Sequence, residues 1–371
     1  MKHAAPLVRL VVLWLCLAPV HSLAQARPTY DIKPRPENVD AFVKEKMSAN
    51  HIPGLSLVVV RHGKIIHAKG YGMANLELSV PATERTSFLI ASVTKTFTAS
   101  AVMMLIEEGK VSLDDAISKY VADLPDAWKV VTIRQLLNHT SGIKTNLEMP
   151  PPCSFTYDCL NYTQADVIKE TACLPLNFPP GERFEYSNTG YFLLGMLIES
   201  VSGKTYEQFL TERIFVPLGM KDTRMINYSE LVPNRASGYV WRGGAFLNSE
   251  QMNPVVELSG GGLMSTVLDM AKWDAALDAN SLLKEATWKQ MWTNARLNNG
   301  GIVPSYGMGF GLTPYIGHKR VGHTGGIPGF ASGFSRFPDD KLTVIVLTNV
   351  AHKDLDIGQL TNEIAGLYLG K

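Results

Sequence analysis

Four cysteines, nine histidines and 19% charged residues are a sparse chemical inventory for a chain of 371 residues. No histidine lies at ligand spacing from a cysteine, and the histidines show no metal spacing among themselves, so a metal site has no basis in the sequence. No basic block with interleaved aromatics occurs, and 35 basic against 34 acidic residues give a net charge of +1, which makes nucleic acid an unexpected partner. There is no G-x-S-x-G elbow, which argues against an α/β-hydrolase. Internal repeats and low-complexity segments are missing, and nothing calls for a cofactor. The long apolar run near the start, Leu10 to Val20, is shorter than the roughly 20 residues that cross a bilayer.

What precedes and follows that run gives it a meaning. Lys2 and Arg9 make a positive start, and Ser22-Leu23-Ala24 and Ala24-Gln25-Ala26 offer small-x-small cleavage sites. Residues 1–26 therefore read as a secretory signal. Cys16 is a poor lipid anchor, because bulky Leu15 precedes it and apolar residues follow. Removing the segment leaves 33 basic and 34 acidic residues. The expected mature protein is exported, periplasmic or extracellular, without a stable membrane anchor. Cys153, Cys159 and Cys173 remain. In an oxidising compartment two of them can pair, with all three pairings open, or none does. A Cys153–Cys159 bridge would help close residues 153–173 into a lip over a cleft, as would Phe155, Tyr157 and Tyr162.

A hydrophobic content of 46% is ample for a core. Leu55 to Arg61 and Lys64 to Tyr71 read as a hairpin about His62-Gly63. Further strands are expected over Gly309–Tyr315, Arg320–Thr324, Gly333–Phe337 and Leu342–Asn349, with a turn at Asp339-Asp340. Helical spacing covers Val93 to Glu108, Tyr191 to Val201 and Leu355 to Leu369. Strands at both ends imply an α+β fold: one antiparallel sheet built from both termini, flanked by helices, with an inserted, mostly helical lobe. The predicted division of residues 27–371 is a sheet lobe of about 27–113 and 253–371 and a helical lobe of about 114–252, with a cleft between them.

Three short patterns carry chemistry. In Ser92-Val93-Thr94-Lys95, a helix starting at the serine would set the lysine one turn on, on the same face. A serine hydroxyl needs a neighbouring base to act as a nucleophile, and a desolvated lysine can lose its proton. Tyr186-Ser187-Asn188 adds a phenol for proton relay and an amide that can orient a substrate. His323-Thr324-Gly325-Gly326 ends a strand, with a hydroxyl for an acyl substrate's polar end and glycines that allow close backbone approach. His139, within Asn138-His139-Thr140-Ser141-Gly142, suits a structural loop position better than a catalytic one.

Taken in order, these patterns resemble the S-x-x-K and K-T-G elements of the serine β-lactamase and penicillin-binding superfamily. The tyrosine-type second element makes the chain similar to class C β-lactamases and D-Ala-D-Ala carboxypeptidases. Leu136 to Ile143, Gly261 to Thr266 and Gly322 to Asn349 extend the resemblance over essentially all of the mature chain. It implies Ser92 as acylated nucleophile, Lys95 and Tyr186 sharing acid and base work, and Asn188, His323 and Thr324 binding substrate. The backbone N–H groups of Ser92 and Gly326 would form the oxyanion hole. The implied partner is a small-molecule or peptide substrate: an ester, an amide, a β-lactam or a cell-wall peptide. One departure matters. The third motif opens on His323 where the superfamily has lysine, and a histidine is mostly neutral at pH 7. The sequence thus favours an exported serine hydrolase of esters or amides. Its rivals are a true β-lactamase or carboxypeptidase, and a binding module with little turnover.

Overall fold

The computed structural model describes residues 36–145, 163–279 and 281–370. The chain enters on helix α1 (Pro36–Ala49), whose Val39, Val43 and Met47 recur every fourth residue and are buried. Strands β1 (Gly54–Arg61) and β2 (Lys64–Asn75) form a hairpin through His62 and Gly63, both at positive φ. Short strands β3 (Val80–Pro81) and β4 (Phe88–Leu89) lead to α2 (Thr94–Glu107). Then come α3 (Ile133–Leu137), α4 (Gln164–Ala172), α5 (Asn188–Ser202), α6 (Tyr206–Leu210) and α7 (Val216–Leu218). Strand β5 (Arg224–Met225) and the hairpin β6 (Tyr239–Arg242) and β7 (Ala245–Asn248) precede α8 (Pro254–Gly261). Strand β8 (Leu263–Ser265) and helices α9 (Val267–Ala279) and α10 (Glu285–Met291) complete the middle. The chain closes with β9 (Val321–Ile327), β10 (Phe330–Phe337), β11 (Leu342–Thr348) and α11 (Ile357–Gly366).

Six strands form one antiparallel sheet in the order β3-β2-β1-β11-β10-β9, so the two ends of the chain meet where β1 pairs with β11. This is the α+β arrangement expected from the strand patterns. Strand β1 reads as a continuous apolar run because both faces of the sheet are covered. Leu57 and Val59 share a core with Val43 of α1 and Ile364 of α11. Val58 and Val60 share the opposite core with Met270 and Trp273 of α9.

Several expected boundaries move. Gly309–Tyr315 is not a strand but makes isolated bridges at Gly311–Gly322 and Tyr315–His318. Gly309 turns the chain at φ 77°, and Pro314 lacks a backbone donor. Strand β9 instead runs on through Gly325 and Gly326 to Ile327. Helix α2 begins at Thr94, and Ala91–Val93 is a separate 3-10 turn. The signal segment and the Cys153–Cys159 pairing lie outside the described residues, while Cys173, which follows α4, is disulfide-bonded. No helix among the described residues is long and apolar enough to cross a membrane.

A buried ion cluster fastens α9 to the sheet. Arg336 of β10 is 2% exposed and donates to Asp274 and, at 2.6 Å, to Asp278. Thr343 of β11 donates to the same Asp274 oxygen at 2.8 Å. Removing Asp274 takes away the buried carboxylate shared by Arg336 and Thr343 and leaves the guanidinium only the more exposed Asp278. Asp274→Ala is therefore expected to destabilise the fold by about 3–5 kcal/mol in denaturant titration. A loss below about 1 kcal/mol would place this cluster with weak surface pairs instead.

Candidate active site

The turn before α2 is fixed from both sides. The Ile90 N–H donates to Leu263 O at 2.9 Å, and Ser332 Oγ of β10 donates to Ile90 O at 2.6 Å. Ala91 then takes φ 46°, a left-handed value that costs an L-residue roughly 1–2 kcal/mol. Ser92 emerges half-buried, whereas every residue from Val93 to Leu105 is buried.

Lys95 is fully buried, and its ammonium reaches acceptors from separate parts of the chain. It lies 3.1 Å from Ser92 Oγ and donates to Asn188 Oδ1 at 2.8 Å and to Gly260 O at 2.6 Å. The rings of Tyr186 and Tyr191 approach it with centroids at 4.9 and 5.4 Å. Burial pulls the Lys95 pKa down to about 7, against the opposing pull of the Glu257 carboxylate. Glu257 itself is buried, which pushes its carboxyl up, while Lys95 acts in the other direction.

The second motif caps α5. Ser187 is the N-cap and accepts from Gly190 N–H, and Asn188 is the first helical residue. The Asn188 side-chain oxygen is engaged by Lys95, so it holds the lysine as well as facing the site. Burial pushes the Tyr186 pKa up; Ser92 favours the ionised form and Glu257 opposes it. The phenol is therefore neutral at pH 7. Its buried hydroxyl faces Ser92, near enough to act on the ionised form but without a hydrogen bond of regular geometry.

The third motif lies on β9, the edge strand. His323 is 6% exposed, and both its nitrogens are used: Nδ1 is 2.6 Å from Thr324 O and Nε2 is 2.9 Å from Tyr306 Oη. Burial, with Lys95 nearby, pulls its pKa down to about 3, so it is neutral. Thr324 is half-buried, with its methyl against Gly358 at the start of α11. Gly326 is exposed, and nothing crowds it. Gly325 serves packing rather than a ligand: a Cβ there would lie 2.5 Å from Ile90 O and 2.8 Å from Ser92 N. His139 is buried at φ 59°, its Nδ1 accepting from Ser187 N–H at 3.1 Å and its Nε2 3.2 Å from Tyr306 Oη.

Residues 39–365 match the family model described as Beta-lactamase. The chain belongs to that family. It is 30% identical over 325 residues to "Penicillin-binding protein 4*" of Bacillus subtilis (strain 168), a match covering 82% of this chain and 70% of that protein. It is 29% identical over 322 residues to "Protein flp" of Staphylococcus aureus (strain COL), covering 85% of this chain but 63% of the relative. The fold is similar to the crystal structure of D-amino acid amidase from Ochrobactrum anthropi SV3, with a TM-score of 0.76 and 28% identity over 89% of this chain and 98% of that one. The family is that of β-lactamase-like serine hydrolases, as the three motifs implied.

The structure thus brings Ser92, Lys95, Tyr186 and Asn188 together, and β9 sets Gly325, between Thr324 and Gly326, against the Ser92 backbone. Three participants escaped the sequence reading: Glu257, the Gly260 carbonyl and Tyr306. Only Gly260 had a visible signal, the glycine run before Leu263.

Two outcomes follow. Gly325→Ala should cut turnover by about 10²-fold, because backbone at Ser92 must shift to admit the methyl; steady-state rates on a neutral ester test this. Glu257 stabilises the Lys95 ammonium, so Glu257→Gln should lower the lysine pKa. The acid limb of kcat/KM, expected near pH 7 in the parent, should then move to lower pH. A shift to higher pH would reverse the assigned sign.

Proposed function

We propose that the chain hydrolyses esters or amides through an acyl-enzyme on Ser92. The observation that carries this reading is the buried Lys95 amine 3.1 Å from Ser92 Oγ, with its pKa drawn down to about 7. A neutral Nζ keeps a lone pair for the serine proton. As Oγ attacks the carbonyl carbon, the proton passes to Lys95 and negative charge moves to the carbonyl oxygen. By the family resemblance, the Ser92 and Gly326 N–H groups would receive that oxygen. Tyr186, neutral and facing Ser92, donates its proton to the departing oxygen or nitrogen and regains one from the Lys95 ammonium. Water then attacks the acyl-enzyme, gives its proton back through the same groups, and releases the acid with Ser92 restored.

The same geometry favours substrates without a carboxylate beside the scissile bond. A substrate carboxylate would gain most from a charged donor. His323 is neutral and has both nitrogens occupied. Similarity to a D-amino acid amidase supports amides among the substrates. Lys2, Arg9 and the apolar run from Leu10 to Val20 support export.

Intact-protein mass spectrometry after a fluorophosphonate probe, a penicillin or neither tests the reading. The expected result is a fluorophosphonate adduct on Ser92, little penicilloyl adduct, and neither in Ser92→Ala. That variant should lose p-nitrophenyl ester hydrolysis by several orders of magnitude; retention of more than about a tenth would exclude Ser92 as nucleophile. Ready penicillin acylation would return the β-lactamase or carboxypeptidase reading. Labelling by neither would favour a binding module.

A further inference from the structure

A row of hydrogen bonds crosses the protein from the second motif to the third. The Ser187 N–H meets His139 Nδ1 at 3.1 Å, and His139 Nε2 meets Tyr306 Oη at 3.2 Å. Tyr306 Oη meets His323 Nε2 at 2.9 Å, and His323 Nδ1 meets Thr324 O at 2.6 Å. The two ends fix the direction of every bond between them. A backbone N–H only donates, so His139 Nδ1 is bare and, in a neutral ring, Nε2 carries the hydrogen. A carbonyl only accepts, so His323 Nδ1 carries its hydrogen and Nε2 is bare. Tyr306 alone must both accept, from His139, and donate, to His323. A hydroxyl does this and a phenyl ring cannot.

The row is internal. His139 is 0%, His323 6% and Tyr306 6% exposed. The His139 ring lies against that of Tyr186 with centroids 4.2 Å apart, so moving the imidazole moves the phenol. The Tyr306 loop is itself tied to β9, where Gly311 N–H donates to Gly322 O at 2.7 Å and Gly322 N–H donates back at 3.1 Å. The loop is tied to the end of α3 as well, through Gly309 N–H and Leu137 O.

We propose that Tyr306 is a positioning residue: its hydroxyl joins His139 to His323 in one directed row that sets Tyr186-Ser187-Asn188 against His323-Thr324-Gly325-Gly326. This rests on the hydrolase reading only for its kinetic consequence. Without the hydroxyl, His139 Nε2–H and His323 Nε2 become two buried groups lacking a partner, which the site can relieve only by rearranging.

Two measurements test this. Nitrogen-15 NMR of histidine-labelled wild-type protein at pH 7 should show both rings neutral, His139 with hydrogen on Nε2 and His323 with hydrogen on Nδ1. The opposite tautomer or a cationic ring at either residue overturns the row. In Tyr306→Phe, an isosteric change, the ring-nitrogen shifts of both histidines should move together. Turnover of a neutral ester should fall about 10–100-fold in kcat with KM little changed, the scale of a small misplacement of reacting groups. His139→Gln should give a similar loss, and the double variant little more, since groups acting as a unit are not additive. Unmoved shifts at either histidine, or kcat within about twofold of the parent, reduces Tyr306 to packing and overturns the proposal. If Tyr306→Phe fails to fold, the wild-type tautomers and His139→Gln still decide. Wild-type protein with these tautomers but no Ser92-dependent turnover would uphold the bond order and overturn the hydrolase reading.

Discussion

The buried ammonium of Lys95 is the point to which the site is tied. An ammonium has three hydrogens, and burying it is tolerable only if all three find acceptors. They find Ser92 Oγ at the head of α2, Asn188 Oδ1 at the head of α5 and Gly260 O near the end of α8. The last two acceptors require α5 and α8 to lie almost at backbone contact. Gly195 permits this: a Cβ there would stand 2.2 Å from Ser259 Oγ, which instead donates to Tyr191 O at 2.8 Å. A side chain on α5 would push α8, and with it the Gly260 carbonyl, away from the lysine. The surroundings of Ser92 and Lys95 are therefore set by helix packing far from Ser92 in the sequence.

That arrangement also makes the proton reversible. Asn188 Oδ1 and Gly260 O can only accept, so two of the three hydrogens stay with Nζ in either state. Ser92 is the partner that can accept from the ammonium or donate to the amine. Burial and the Glu257 carboxylate pull the lysine in opposite directions, and burial is the larger effect, drawing its pKa well below that of a free lysine. A lysine held far from neutrality would be useless in one direction: fully charged it could not take the serine proton, and fully neutral it could not return one.

Motifs made of neighbouring residues were legible in the sequence, and so was the sheet. Ser92 to Lys95 runs from a 3-10 turn into the first turn of α2, and β1 and β11 announce themselves as apolar runs. What was hidden depends on pairing across long separations. Lys95 meets Gly260 across 165 residues, and His139 meets Tyr306 across 167. No local pattern marks a carbonyl as an acceptor or a tyrosine as a bridge. Helix α1 carries a readable period in Val39, Val43 and Met47, but a single 14-residue amphipathic stretch does not say which sheet face it covers. Residues 309–315 had apolar alternation without the backbone for a strand, because glycine at 309 and proline at 314 override it. The motif marks Gly325 as a place of close backbone approach, and what approaches is the Ser92 backbone and not a ligand.

The histidine in the third motif takes on a different meaning once its neighbours are known. Lys95 already places one positive charge in the buried site, and it depresses the pKa of both His139 and His323. A second buried cation at position 323 would repel the first and lower the Lys95 pKa further, unless a bound anion offset it. Arg320 is the other cation felt at His323, and it donates to Ser335 Oγ at 2.9 Å. A neutral histidine avoids the repulsion and spends its polar atoms on Tyr306 and Thr324. The exchange therefore does more than weaken an anion site. It leaves burial and the Glu257 carboxylate to set the Lys95 pKa, with no second buried cation at position 323 to push it lower.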